Sequence, residues 1–346
     1  MRVRRANSLA LFFCGNDLIC ENYLTGRRTC LSPAYLPILA GLTDWTPRTG
    51  SLEVCATGVD PDALIDALVA SHLLVEENSA LADRDGDMER HWAWDVDARF
   101  FFFSTATTSF DADNERVLDQ LQEKAAGMPP PSPFTSRGER TLFLPPAEPL
   151  ELPLGACLAR RRTCRRFQGQ LKLQDLATLL DWTWGKRRLV EGGALGDVLL
   201  KSSPSGGARH PIEVYVLAQR IEGAAPGTIF HYDVRDHALD RIGAISPDHH
   251  LGEICSGQKW VEDAAAVFFM TAIVSRTMWK YQQSHALRVV LMEAGHLGQT
   301  FHLACAALGL GPFTSAAFEA SQVEALLGID GIREVPLYLG AAGKPA

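Results

Sequence analysis

Between Ala159 and Phe167 the chain reads ARRRTCRRF, five arginines in seven positions with a threonine among them. Guanidiniums this close repel one another. They either face water, the common outcome for such a run, or converge on an anion. Thr163 adds a hydroxyl donor, and the run stands ahead of a helical pattern, where arginine forks and backbone amides could meet a phosphate. A second stretch, KSSPSGGARHPIEVYVL from Lys201, puts two glycines at the mouth of a strand. Its Pro204–Gly207 segment matches neither the dinucleotide fingerprint nor the P-loop. As a plain turn it needs no ligand, yet two glycines also let a backbone approach a flat ring system with its amides free. A third, WKYQQSHALR, sets Lys280 beside Tyr281. Both ordinarily titrate at about 10; beside a cation the phenol would ionise more easily and serve as a base. The bland alternative is a surface dipeptide. In EAGHLGQ, Glu293 and His296 stand three apart. A di-iron site needs that spacing twice plus two further glutamates, so no metal is assigned and a self-satisfying buried polar pair is expected.

The elements that must carry these residues fall into three regions. Residues 1–98 hold a hairpin pattern around Gly15-Asn16-Asp17, with Leu9–Cys14 as the first strand. A helical spacing at Leu36, Leu39 and Leu42 follows, then a helix capped by Asp60 with Pro61 at its first position and Leu64, Leu68 and Leu73 inside. Leu74-Val75 starts an extended segment that Asp85-Gly86 turns back. Together these predict a winged-helix-like module. Residues 99–150 form a connector. The aromatic run Phe100–Phe103 predicts a strand or a docking anchor, Asn114–Lys124 a helix, and MPPPSPFTSRGER no regular structure, because proline removes donors and fixes φ. Residues 151–346 hold a helix with Leu173, Leu176, Leu180 and Trp184 on one face, ended by Gly185. Strands are expected in IEVYVLAQ, on both sides of Asp236-His237, in AAAVFFMTAIV and in EVPLYLGAAG. A long helix over Ser284–Leu308 ends at Gly309 and Gly311. Helices and strands without regular β-α-β alternation predict an α+β fold.

The whole chain limits what these residues can serve. It has 346 residues, 47% hydrophobic and 21% charged, with a formal charge of −8. That balance argues against nucleic acid as a partner and suits a small anion or a peptide. The eight cysteines, Cys14, Cys20, Cys30, Cys55, Cys157, Cys164, Cys255 and Cys305, contain no C-x-x-C pair and read as reduced residues of a cytoplasmic protein. The N-terminal apolar run is too short for a signal peptide. The apolar stretch 286–310 carries Arg288, Glu293, His296, Gln299 and His302, so it reads as a buried helix with no membrane role.

In order, RRTCRRF, PSGGARHP before a strand, GTIFHYD, WKY, LMEAGH and a closing GAAG strand resemble the nitroreductase superfamily, and more narrowly its SagB-type peptide dehydrogenases, which oxidise azolines to azoles. The resemblance covers residues 151–346. It implies a nitroreductase-like fold with a mixed sheet flanked by helices, a homodimer, and FMN at the subunit interface. Arg161, Thr163 and Arg165 match the family's phosphate clasp, with threonine for the usual serine and Arg162 as a further contact. Ser205, Gly206 and Gly207 match the segment against the isoalloxazine, Lys280 and Tyr281 the pair implicated in azoline oxidation, and Lys344 a lesser phosphate contact. The implied partners are a precursor peptide, leader and core, and a cyclodehydratase or other maturation enzymes. The N-terminal region resembles leader-binding modules, with a structural brace as the alternative. Two other functions stay open: an NAD(P)H-dependent nitro- or quinone reductase, and a non-catalytic leader-peptide-binding subunit.

Overall fold

The structure is a computed structural model that describes residues 1–48, 60–106, 108, 113–246 and 250–346; Cys55 lies outside the described residues. The chain divides into two compact units, Met1–Phe110 and Asp111–Ala346.

The first unit contains β1 (Arg2–Arg5), β2 (Leu9–Cys14), β3 (Asp17–Asn22), β4 (Arg27–Cys30), α1 (Leu36–Gly41), β5 (Thr46–Pro47), α2 (Pro61–Ala70), β6 (Leu74–Glu76), α3 (Ala80–His91) and α4 (Val96–Ser104). An antiparallel meander, β2–β3–β4, turns at Gly15-Asn16, and a second small sheet runs β5–β1–β6. The Leu9–Cys14 run is thus the second strand, not the first. Asp60 caps α2 by accepting from the Asp62 amide, with Pro61 in the first turn. Two expectations fail here. Asp85-Gly86 makes no turn but lies inside α3, because the Asp85 carboxylate is fully buried. There it accepts from the Ser8 hydroxyl and from the amides of Asn7 and Ser8. Phe100–Phe103 is helical within α4, which Asp95 caps by accepting from Val96 N. Phe103 and Phe102 pack on Trp92 with ring centroids 4.7 and 4.8 Å apart, so ring packing decides the conformation over strand propensity.

The second unit contains α5 (Asn114–Gly127), β7 (Glu139–Phe143), α6 (Leu154–Arg160), β8 (Phe167–Gln168), α7 (Leu173–Trp184), β9 (Lys186–Val190), β10 (Val198–Lys201), β11 (Ile212–Ala218), β12 (Thr228–Asp233), β13 (Ala238–Ala244), α8 (Leu251–Ile254), β14 (Ala266–Ile273), α9 (Val274–Lys280), α10 (Ala286–Ala307), β15 (Gly311–Ser315), α11 (Ala320–Leu327) and β16 (Glu334–Pro345). Its large sheet runs β15–β16–β14–β11–β12–β13–β7, with β8 added to β16, and β9 pairs with β10 apart from it. Every ladder of the large sheet among the described residues is antiparallel, so the sheet is not the mixed one expected. Its neighbours meet through hairpins and long returns and need no parallel crossover. Both faces are covered. Val214, Val216, Phe268 and Met270 pack under α7 and α10. The alternate residues Tyr215, Leu217, Val267 and Phe269 pack under α8 and α11. That two-sided burial is why these strands read as unbroken apolar runs rather than alternating ones. No helix among the described residues is long and apolar enough to cross a membrane.

Candidate functional site

The glycine turn and the Lys-Tyr pair meet. Gly206–Ala208 form a single 3-10 turn in which Gly207 has φ +59°, followed by left-handed Ala208 (φ +53°) and His210 (φ +44°). A Cβ on Gly207 would stand 2.6 Å from the Tyr281 hydroxyl and 2.8 Å from Lys280 Nζ, and one on Gly206 would stand 2.5 Å from Val289 Cγ1. Two constraints therefore disfavour a side chain at Gly207, a positive φ and a space that the ends of Lys280 and Tyr281 already occupy. Lys280 ends α9 and Tyr281 is its C-cap, with the Tyr281 amide donating to Thr277 O.

The electrostatics of the pair differ from the expectation. Burial pushes the Tyr281 phenol up, and the neighbouring Arg209 cation offsets this only in part. The phenol does not ionise more easily. Burial, and then the charge of Arg209, push the Lys280 ammonium down. Of the two, the lysine moves toward its neutral, proton-accepting form and the tyrosine remains a donor.

Beneath the turn lies a buried polar cluster that sequence reasoning did not assemble. Glu293 of α10 lies near Ser205 and Gly206, and burial raises its carboxyl to about 7 against their opposing influence. Ser205 Oγ also accepts from the His210 amide at 2.8 Å. His210 Nε2 lies 2.7 Å from Leu199 O, its Nδ1 is 3.7 Å from Glu293, and burial lowers it to about 3. Lys201, half-buried, is brought down to about 8 by burial, against the attraction of Glu213. Glu213, against its burial, is held at about 2 by Arg276 and His231. Arg276 of α9, 2% exposed, donates to His210 O at 2.9 Å, to Ser132 O at 2.9 Å and to Thr135 Oγ1 at 2.7 Å. The proline-rich stretch is irregular as far as Gly138, while Glu139 and Arg140, also expected to be irregular, begin β7; the irregular part is anchored to α9, where the Trp279 indole also donates to Met128 O at 2.8 Å. One signal for this cluster was readable: a glutamate in the otherwise apolar IEVYVLA strand. Glu293 and His296 do not pair, since Glu293 is buried and His296 exposed.

The arginine run builds a separate depression of about 340 Å³, lined by Arg160, Arg161, Arg162 and Thr163 on one side and by Leu310–Pro312 on the other. No acidic residue lines it. The run follows the C-terminal end of α6 instead of preceding a helix directly, and β8 intervenes before α7. Arg162 caps α6 by donating to Ala159 O and Arg161 O at 3.1 and 2.7 Å. Arg165 does not line the depression; its guanidinium lies 5.5 Å over Trp260 and 5.8 Å over Phe313. Lys344 is exposed and stands opposite Gln168 in the β16–β8 ladder. His302, behind Arg161, is lowered to about 4 by burial and then by that charge, and its Nδ1 is buried without a partner. From Glu293 to Ala306, which lines the depression, α10 spans about 20 Å. One chain therefore does not gather the arginines and the glycine turn into a single pocket.

The nitroreductase family model matches residues 158–344, more than half of the chain, from the last turn of α6 almost to the end of β16. The chain belongs to the nitroreductase family. Trifolitoxin-processing protein TfxB of Rhizobium leguminosarum bv. trifolii is 30% identical over 236 residues, covering 63% of this chain and 60% of that protein. This nitroreductase-family chain thus spans less than two thirds of the length of TfxB. The nitroreductase-family protein MJ1384 of Methanocaldococcus jannaschii is 30% identical over 195 residues, 56% of this chain and 92% of that one. A nitroreductase-family crystal structure from Ralstonia eutropha JMP134 superposes with a TM-score of 0.50 at 24% identity, over 62% of this chain and 94% of that chain, and shows the fold alone.

Proposed function

We propose that the chain is an FMN-dependent dehydrogenase that matures a ribosomally made peptide, oxidising an azoline to an azole or carrying out a related peptide dehydrogenation. The observation that carries the reading is the convergence of Lys280 Nζ and Tyr281 Oη on the bare face of Gly207. The similarity to a trifolitoxin-processing protein supports a peptide as substrate. The depression around Arg161, Arg162 and Thr163 offers cations, a hydroxyl and no carboxylate, the donor set a phosphate needs. These residues would hold the FMN phosphate, with Arg165 and Lys344 at its margin, and Ser205–Gly207 would face the ring. The length of α10 between the two groups favours a composite site completed by a second copy of the chain.

Hydride acceptance is the chemistry FMN supplies when bound. The chain itself must then take the proton that leaves the neighbouring ring carbon. Lys280, depressed by burial and by Arg209, is the better acceptor; Tyr281, kept protonated, positions the ring by donating a hydrogen bond. The Lys280→Ala variant should keep its flavin colour and lose about 10²–10⁴-fold in turnover, the usual worth of a positioned base; Tyr281→Phe should keep colour and lose less. Full peptide oxidation by Lys280→Ala would refute the assignment. The first unit would serve as the leader-peptide module, with a cyclodehydratase or other maturation enzyme as partner. A small-molecule nitro- or quinone reductase is the second reading, favoured by the near-complete coverage of the archaeal relative. Flavin bleaching by NADPH, discharged by a nitroarene and unaffected by peptide, would support it instead.

A further inference from the structure

Among the described residues Arg209 stands out as a buried cation without a carboxylate. It is 7% exposed, its Nε donates to Gly207 O at 3.2 Å, and its guanidinium lies 5.8 Å from the Trp279 ring. No ion pair to it occurs among the described residues. Lys124 approaches the same indole at 5.5 Å, and Lys280 lies near enough for Arg209 to lower its proton affinity. Three cations thus gather around Trp279 and Tyr281. Isolated buried charges are costly, and proteins normally match them with a partner. Beside Arg209 lies a cavity of about 230 Å³, between the Pro130–Phe134 segment and residues of the β9–β10 connection. Its other charged lining residues are Arg235, stacked 4.6 Å from Phe134, and the exposed Asp197, which makes no ion pair with Arg209. Arg209 is the residue that this cavity and the Lys280–Tyr281 neighbourhood share.

We propose that Arg209 anchors a carboxylate-binding subsite beside Lys280 and Tyr281, and that the peptide substrate places a carboxylate there. The substrate part of the proposal rests on the dehydrogenase reading above. With Nε engaged by Gly207 O, the two terminal nitrogens remain for a ligand, and their planar fork matches the two oxygens of a carboxylate. A phosphate site would recruit several such forks, as the separate arginine run does. The carboxylate is either an acidic side chain or a free C-terminus, since both present the same two oxygens.

The test is binding, read without turnover. Fluorine NMR of the full chain, with and without FMN, compares 4-fluorobenzoate with the neutral 4-fluorobenzamide. The expected result is at least tenfold tighter binding of the acid, a preference lost in Arg209→Gln and kept in part in Arg209→Lys. Fluorinated short peptides, one with a free C-terminus and one amidated but bearing a glutamate, then separate the two sources, and the better binder identifies the one used. Equal affinity of acid and amide for the wild-type chain overturns the proposal whatever the variants do. So does a preference that survives Arg209→Gln in a protein with an unchanged thermal midpoint. A preference that disappears once FMN is added assigns the Arg209 charge to the flavin and overturns the subsite as well. Loss of the dehydrogenase reading would appear in turnover assays and leave the binding comparison untouched.

Discussion

Two glutamates of the cluster beneath the glycine turn titrate in opposite directions. Glu213 is held at about 2, so its contribution to stability is in place above the ordinary carboxylate value of 4.5 and is lost only as pH falls toward 2. Glu293 is raised to about 7, so the folded state keeps a proton that the unfolded chain releases near 4.5. Its contribution is complete below 4.5 and is lost as pH rises toward 7. His210, depressed to about 3, acts the other way below about 6.5, because the unfolded chain takes up the proton. Comparison with Glu293→Gln cancels the histidine. Between pH 5 and 6.5, denaturant-derived stability of the wild type should change more negatively with pH than that of the variant, by about 1 kcal/mol per unit. Equal slopes would show that Glu293 is ionised in the fold throughout. Of this, residue types disclosed only Glu213, a carboxylate in an otherwise apolar strand. PSGGARHP and WKY identified two segments, but their contact depends on the strand and helix ends that bring Gly207 under Tyr281. Nor does a sequence show that Arg209 lacks a carboxylate among the described residues, since that is a statement about contacts in space.

At the scale of elements, long apolar patterns were the readable part. The expected strands in IEVYVLAQ and AAAVFFMTAIV formed because burial on both faces leaves their sequence little choice, and the long helix formed as α10 on its one buried stripe. Short signals were less reliable. Asp85-Gly86 has the composition of a turn, yet a helix holds it because the buried carboxylate gains donors there. Helix α10 also presents an unexplained outer face. Leu287, Leu291 and Met292 are exposed on it, and Leu154 and Leu158 are exposed on α6, which packs against it. Leucines a turn apart on such helices suit a second copy of the chain, which the composite site also calls for. The double variant Leu287→Glu, Leu291→Glu should sediment as single chains and lose flavin while keeping its helical circular dichroism. A wild type that already sediments as a monomer with flavin bound would remove the argument.

On the scale of the molecule, the two units differ in how much their sequences disclose. The second carries motifs of fixed residues in a fixed order, and the family match falls entirely within it. The first carries only apolar spacing, which specifies helices and strands without specifying a ligand. A separable role for it can be tested through one residue. Asp85 is fully buried and accepts from Arg4 at 2.9 Å and from Ser8 Oγ at 2.8 Å. Asp85→Ala strands the Arg4 cation, itself only 8% exposed, a loss of about 3–5 kcal/mol. Against a domain stability of about 5–15 kcal/mol, that is a large fraction, enough to leave the first unit marginal. Calorimetry of the variant should show the transition of the first unit lowered or missing, while visible flavin absorbance persists. If that unit recognises the leader, affinity for a labelled precursor peptide should fall at least tenfold at unchanged flavin content. Unchanged peptide affinity with the first unit unfolded would leave it the role of a brace, and recognition of the peptide would then have to lie within Asp111–Ala346.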